Sequence, residues 1–211
     1  MDIIDLIHKS RLELWGYHLT DWRMNLFTVR WWVVIAGIAI AYAIWWKFVD
    51  KRRLIEILLF GSFIAVFRVI LDDAGASAAL WVYSVKPLPL GHSLFLNDLT
   101  IVPLGFMLVY QQCQSWKKFF LWAVIAEVCY SFVLLPVLVE FDILRVYNWQ
   151  YYYTFFIMLV AVTAMRALLL TALEIEQKYK FGYLHNPLPS SMQPAMKPLD
   201  NETGNGRIKD D

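Results

Sequence analysis

Residues 94–112 read LFLNDLTIVPLGFMLVYQQ. The stretch is long and apolar enough to cross a bilayer, which takes about 20 mostly apolar residues for roughly 30 Å of hydrocarbon. Yet it carries Asn97, Asp98, Thr100 and Pro103 near one end. Read as a span, Leu94–Gln112 is the third of five. The others are Trp31–Val49, Leu54–Leu71, Phe119–Val139 and Tyr152–Leu173. The expected fold is therefore an all-α integral membrane bundle of about five transmembrane helices, since a helix satisfies its own backbone groups in lipid.

Composition points the same way. Hydrophobic residues make up 59% of the 211 and aromatic residues 17%, against roughly 45–50% apolar content in soluble domains. The excess lies in blocks. With 19 basic and 18 acidic side chains the chain is nearly neutral, which argues against a nucleic-acid partner, since that calls for a basic stripe. Cys113 and Cys129 show no metal-ligand or disulfide spacing and read as small buried hydrophobes. His8, His18, His92 and His185 are scattered outside the spans. There is no Ser/His/Asp set, glycine-rich phosphate loop or HExxH motif, so neither a metal nor a cofactor is expected, and enzymatic activity is the less favoured reading.

Three regions follow. Residues 1–30 form an N-terminal amphipathic arm: Ile3, Ile4, Ile7 and Leu14 share a face, with Asp2, Asp5, Lys9 and Glu13 elsewhere. Such a helix lies on the membrane surface or caps the bundle. It is no signal peptide, for it lacks a basic leading region. Residues 31–180 form the five-span domain. Residues 181–211, with Pro187, Pro189, Pro194 and Pro198, have too few apolar side chains to fold and read as a disordered cytoplasmic tail. Between the second and third spans, Ala74–Ser93 cannot be one straight helix because of Pro87, Pro89 and Gly91. Its Leu80-Trp81-Val82-Tyr83 run is expected to lie against the bundle.

Basic residues set the orientation. Lys47, Lys51, Arg52, Arg53, Lys117, Lys118, Lys178 and Lys180 fall on one side of the five-span path, Lys86 and Arg145 on the other. The N-terminal arm brings Lys9, Arg11, Arg23 and Arg30 to that second side, a conflict within the rule. The balance favours the N-terminus outside and the C-terminus inside.

Ionisable residues within spans are costly, about 2.5–3.5 kcal/mol each on insertion scales, so each calls for a partner, water or a function. Four stand well inside: Arg68, Asp98, Glu127 and Arg166. Arg68 and Asp72 are four apart and face one way, and Asp98 comes to the same level, so an Arg68–Asp98 pair is expected. Glu127 reads as deeper, with Tyr130 and Ser131 on its stripe and Arg166 as its natural ion-pair partner. Pro103 lacks an amide and should kink its helix, freeing the Leu99 carbonyl. Arg68, Asp72, Asn97, Asp98, Pro103, Glu127 and Arg166 together make the candidate polar layer. Its simplest reading is structural, with charges neutralising one another.

The order of features from Leu80 to Arg166 is distinctive: LWVY, a proline loop, NDLTIVPLGFMLVYQ, SWKKF, SFVLLPV and YNWQYYYTFFI. It resembles a family of small multi-pass membrane proteins, called conserved hypothetical proteins, of spore-forming Gram-positive bacteria. Asp98 and Pro103 match that family's intramembrane Asp and Pro, Tyr110-Gln111 its Tyr-Gln, and Asn148-Trp149 the approach to its last span. Leu135 stands before Pro136 where the family often has Glu. The resemblance implies a bacterial plasma-membrane location and no particular activity. The expectation is a non-enzymatic membrane protein that binds a small ligand, a lipid or a membrane-protein partner at an outer polar layer. The alternatives are a small transporter or ion- or proton-conducting protein, and a lipid-modifying enzyme with Asp98 or Glu127 as acid or base.

Overall fold

In a computed structural model of the chain, residues 2–89 and 98–185 are described, side chains through residue 179. Asn97 and all but the start of the 181–211 tail lie outside the described residues. The fold is almost entirely helical. Helix α1 (Ile3–Asn25) starts with a capping box between Asp2 and Asp5, and α2 (Val29–Phe48) starts on the Thr28 hydroxyl, which accepts from the Trp31 amide. After a short 3-10 turn at Lys51–Arg53 comes α3 (Leu54–Ser77). Strand β1 (Trp81–Tyr83) follows, then α4 (Ile101–Gln112) and α5 (Trp116–Cys129). A π-helical turn, Tyr130–Leu134, joins α5 to α6 (Leu135–Glu140). Strand β2 (Leu144–Val146) and α7 (Tyr151–His185) complete the order.

Among the described residues, four helical stretches are long and apolar enough to cross a membrane: Val29–Phe48, Lys51–Ser77, Trp116–Glu140 and Tyr151–Tyr179. Of the expected third span, Leu94–Gln112, residues 94–97 lie outside the described residues, and the described part holds α4, whose 12 residues rise about 18 Å. Pro103 is the reason it differs from expectation. The proline occupies the first turn of α4, where an amide would have no helical partner. The helical path breaks at Thr100, whose φ of −123° and ψ of −79° are non-helical. So Pro103 starts a helix rather than kinking one.

The second proline works differently. Pro136 opens α6, and the turn before it widens so that the Leu135 amide donates to the Tyr130 carbonyl, five residues back. Such π turns are uncommon and frequently lie at functional sites. Here the widened turn lies beside Tyr130 and Ser131.

The alternation of helices sorts the loops into two ends. At one end the α2–α3 turn is fastened to the end of α4. Gln111 donates to the Phe48 carbonyl and accepts from the Asp50 amide, both at 2.8 Å. At the other end β1 and β2 pair antiparallel, Val82 opposite Arg145, a small hairpin-like ribbon the sequence reading missed. Gly75 lets it sit close: a Cβ there would lie 2.0 Å from the Trp81 ring. A similar close approach joins α3 to α4, where a Cβ on Gly61 would meet the Met107 side chain. Trp81, Tyr83 and Val85 are buried, so the loop does lie against the bundle. Cys113 is buried but Cys129 is exposed, against the reading of both as buried.

α1 forms over the expected segment, and none of its residues is buried. It is held to the loop after β1, where Trp22 Nε1 donates to the Pro87 carbonyl at 3.3 Å. Lys86 Nζ lies 3.1 Å from His18 Nδ1.

Candidate functional site

The ribbon end holds a buried charged cluster centred on Arg68. Its guanidinium is a fixed fork of five donors, and α3 aims it inward at only 4% exposure. Nε lies 3.0 Å from Asp98 Oδ1. Nη2 donates to the Tyr130 hydroxyl at 2.8 Å and stands 3.8 Å from Asp72 Oδ1. The expected Arg68–Asp98 pairing is thus present in the geometry.

Asp72 is served from the ribbon. Its Oδ1 accepts from Trp81 Nε1 at 3.0 Å and from the Tyr83 hydroxyl at 2.8 Å. Alternation along β1 turns Trp81 and Tyr83 to the same face, which is why one three-residue strand supplies both donors. Neither was singled out by sequence reasoning. The usable signal was an aromatic pair two residues apart, shortly beyond the helix that carries Asp72.

Glu127 is fully buried and close by. Its Oε2 accepts from Ser131 Oγ at 3.5 Å, a long bond. Asp72 Oδ2, Asp98 Oδ2 and Glu127 Oε1 are buried and meet no N–H donor among the described residues, while the Asp72 and Asp98 carboxyls are close enough to share a proton. One guanidinium therefore serves a region holding three carboxyls. A cavity of about 20 Å³ borders Arg68, Tyr83, Trp149 and Thr154. That is room for about one water.

Arg166 is elsewhere. No ion pair joins it to Glu127 among the described residues, so the expected Glu127–Arg166 bridge is corrected. Its Nη2 donates to the Cys113 and Gln114 carbonyls at 3.0 and 3.3 Å. The guanidinium sits 4.2 Å from the Phe119 ring centre and 4.9 Å from that of Trp116. The reason is the helix ladder: the last carbonyls of α4 have no helical partner, and Arg166 supplies donors for the turn that follows. Pro103 and Asp98 are both near the start of α4, but only Asp98 joins the cluster. Nearby at this second end, Glu56 accepts from Arg53 and from the Tyr110 hydroxyl.

Outside the spans, Asp142 accepts from Arg145 and Arg30. The Arg145 hydrogen bond, with help from Arg30, holds its carboxyl below the usual range. Burial pulls the Lys86 ammonium below its ordinary value, partly opposed by Asp21. No group of three or more His, Cys, Asp or Glu side chains among the described residues is placed to hold a metal ion.

The helices and the buried cluster define a class: a helical membrane protein with a charged centre near one end of its bundle. No family model, curated protein or solved structure matches the chain.

Proposed function

We propose that this is a multi-pass, non-enzymatic protein of a bacterial plasma membrane that binds a small hydrogen-bond-donating ligand at the Arg68–Asp72–Asp98–Glu127 layer. The donor belongs to a small molecule, a lipid or a membrane-protein partner. In the proposed orientation the N-terminus is outside and the C-terminus inside, so the layer lies towards the outer leaflet. The positive-inside rule supports this: the Lys51–Arg53 turn and the start of α5, with Lys117 and Lys118, fall at one end of the molecule. The resemblance of residues 80–166 to membrane proteins of spore-forming bacteria supports the location.

The observation that carries the reading is the surplus of acceptors. Buried polar atoms are normally hydrogen-bonded, and leaving one without a partner costs about 1–3 kcal/mol. Three carboxyl oxygens in one buried region lack an N–H donor among the described residues, and the hydrogen bond between the Asp72 and Asp98 carboxyls takes up only part of that capacity. A ligand offering ammonium or amide N–H groups would supply what they lack. A proton- or ion-conducting role is the second reading, favoured by two carboxyls paired with one buried guanidinium and a third, Glu127, buried in a neighbouring helix.

The test is thermal stability of the purified protein against small ammonium, guanidinium and amide ligands, and against monovalent cations. A ligand that binds only the folded state stabilises it. The expected result is a rise in Tm with a nitrogen-donor ligand that Asp98→Asn abolishes. A response to inorganic cations alone would favour conduction. No response, or one indifferent to Asp98→Asn, would leave the cluster a structural ion-pair network.

A further inference from the structure

α1 does not lie flat against the ribbon end. Between it and the corner where α3 passes into β1 runs a groove of about 740 Å³, within the roughly 300–1,000 Å³ usual for ligand sites. Arg11, Leu14 and Trp15 form the α1 wall, and Asp73, Ala79 and Val82 stand on the opposing wall. The groove is built rather than incidental, because α1 is pinned beside it by the Lys86–His18 and Trp22–Pro87 contacts.

Its chemistry is divided. The α1 wall carries a cation, Arg11, and the other wall an anion, Asp73. Neither takes part in an ion pair among the described residues. Between and beside them are apolar surfaces of Leu14, Trp15 and Val82, all exposed. Exposed Ile3, Ile4, Leu6 and Ile7 give the rest of α1 the apolar surface of a helix lying in the headgroup region. Trp15 is the residue type that favours that depth.

We infer that this groove binds an aminophospholipid, with its phosphate on Arg11, its primary ammonium on Asp73 and the start of its acyl chains on Leu14, Trp15 and Val82. Charge complementarity selects this occupant. The two charges of the headgroup match the two of the groove in sign, and only a primary ammonium can donate hydrogen bonds to Asp73. A trimethylated headgroup of the same net charge cannot. The inference uses none of the residues of the Arg68 layer, so it stands or falls separately from the ligand reading given above.

The test is lipid retention by the full chain in native mass spectrometry. The protein would be equilibrated with phosphatidylethanolamine and phosphatidylcholine of identical acyl chains. About tenfold preferential retention of phosphatidylethanolamine is expected, a difference that corresponds to about 1.4 kcal/mol. Asp73→Asn should remove the preference while leaving phosphate binding. Arg11→Gln should lower retention of both lipids, and Val82→Trp should fill the groove and do the same. All three positions are exposed, so the variants are expected to fold, and an unchanged Tm would show it. Equal retention of both lipids by the unaltered protein, or a preference that survives Asp73→Asn, would overturn the proposal. So would equal competition by free phosphoethanolamine, which would make the ligand a soluble headgroup. A disulfide forming rapidly between Val82→Cys and Phe95→Cys in a Cys129→Ala background would also overturn it, since residues 90–97 would then cover the groove.

Discussion

Two arginines are buried in this molecule almost equally, Arg68 at 4% and Arg166 at 2% exposure, yet they do opposite kinds of work. Arg166 serves neutral acceptors, two carbonyls of one turn, and lies over the rings of Phe119 and Trp116. Its partners are local to the α4–α5 connection, and removing it leaves dipoles. Arg68 serves charges. Its carboxylate and hydroxyl partners come from α3, from the segment before α4, and from the π turn, with Asp72 in turn held by β1. Removing it leaves carboxylates in an interior that cannot solvate them. Burial alone therefore does not rank the two; the charge state of what remains does.

That contrast gives the largest expected effect. Arg68→Leu should destabilise the protein by about 3–5 kcal/mol, the usual cost of stripping one partner from a buried ion pair. The double change Arg68→Leu, Asp98→Leu should cost less than the sum of the two singles, because it removes the stranded charge. Denaturant unfolding of the purified protein, or yield of folded protein if Arg68→Leu is too unstable, reads this. Strict additivity would mean that Arg68 and Asp98 are neighbours without coupling.

Arg166→Leu should cost less, about 1.5–3 kcal/mol, the range for hydrogen bonds to a charged group. If it proved as damaging as Arg68→Leu, the distinction between charged and neutral partners would fail. Arg166→Lys is the sharper version. Lysine keeps the charge but not the planar fork that serves two carbonyls and stacks on rings. Most of the loss should therefore remain.

The ribbon's part in the Arg68 cluster is tested at Gly75. Gly75→Ala would bring a Cβ to 2.0 Å from the Trp81 ring. The ring, not a flexible chain end, must then move, at a cost of about 1–3 kcal/mol for overpacking. Trp81 Nε1 should also leave Asp72. The readout is the indole N–H resonance of Trp81, assigned by its loss in Trp81→Phe, which should shift when the bond to Asp72 is lost. An unchanged resonance would mean that the ribbon is not positioned by this contact.

The differing legibility of the two arginines follows from what decides each. Five apolar blocks could be read from the chain because lipid imposes a composition on every residue of a span. Four of them are long apolar helices, and in the described part of the fifth Thr100 breaks the helical path before Pro103. The Arg68–Asp72 and Glu127–Ser131 relations were legible because helical spacing fixes them. The Arg68–Asp98 contact followed from level alone. What the sequence hid depends on rotation about helix axes and on strands three residues long. Arg166 turned toward carbonyls, which leave no mark in a residue pattern. Trp81 and Tyr83 became donors only once β1 paired with β2. Tyr130 meets Arg68 from the π turn, and no periodicity at 3.6 residues foretells a widened turn.

The smallest expected effect concerns the surface clamp that ties β2 to α2. Asp142 accepts from Arg145 Nε at 2.7 Å and from Arg30 Nη1 at 2.8 Å. It has a positive φ of 52°, a conformation that Asp and Asn tolerate better than most residues, so Asp142→Asn tests the charge without straining the turn. The arginines hold the Asp142 carboxyl below its unfolded value. The clamp's contribution is therefore fully present above the unfolded pKa and is lost as pH falls through the depressed folded one. Because the pair is solvent-exposed and screened, global stability should barely change. Amide protection of Leu144–Val146, corrected for intrinsic exchange, should fall in acid for the unaltered protein and stay flat for Asp142→Asn. Salt should weaken the difference, since exposed charges are screened over about 10 Å at 0.1 M. An acid response of equal size in both proteins would assign it to another carboxyl and leave the ribbon held by its buried face alone.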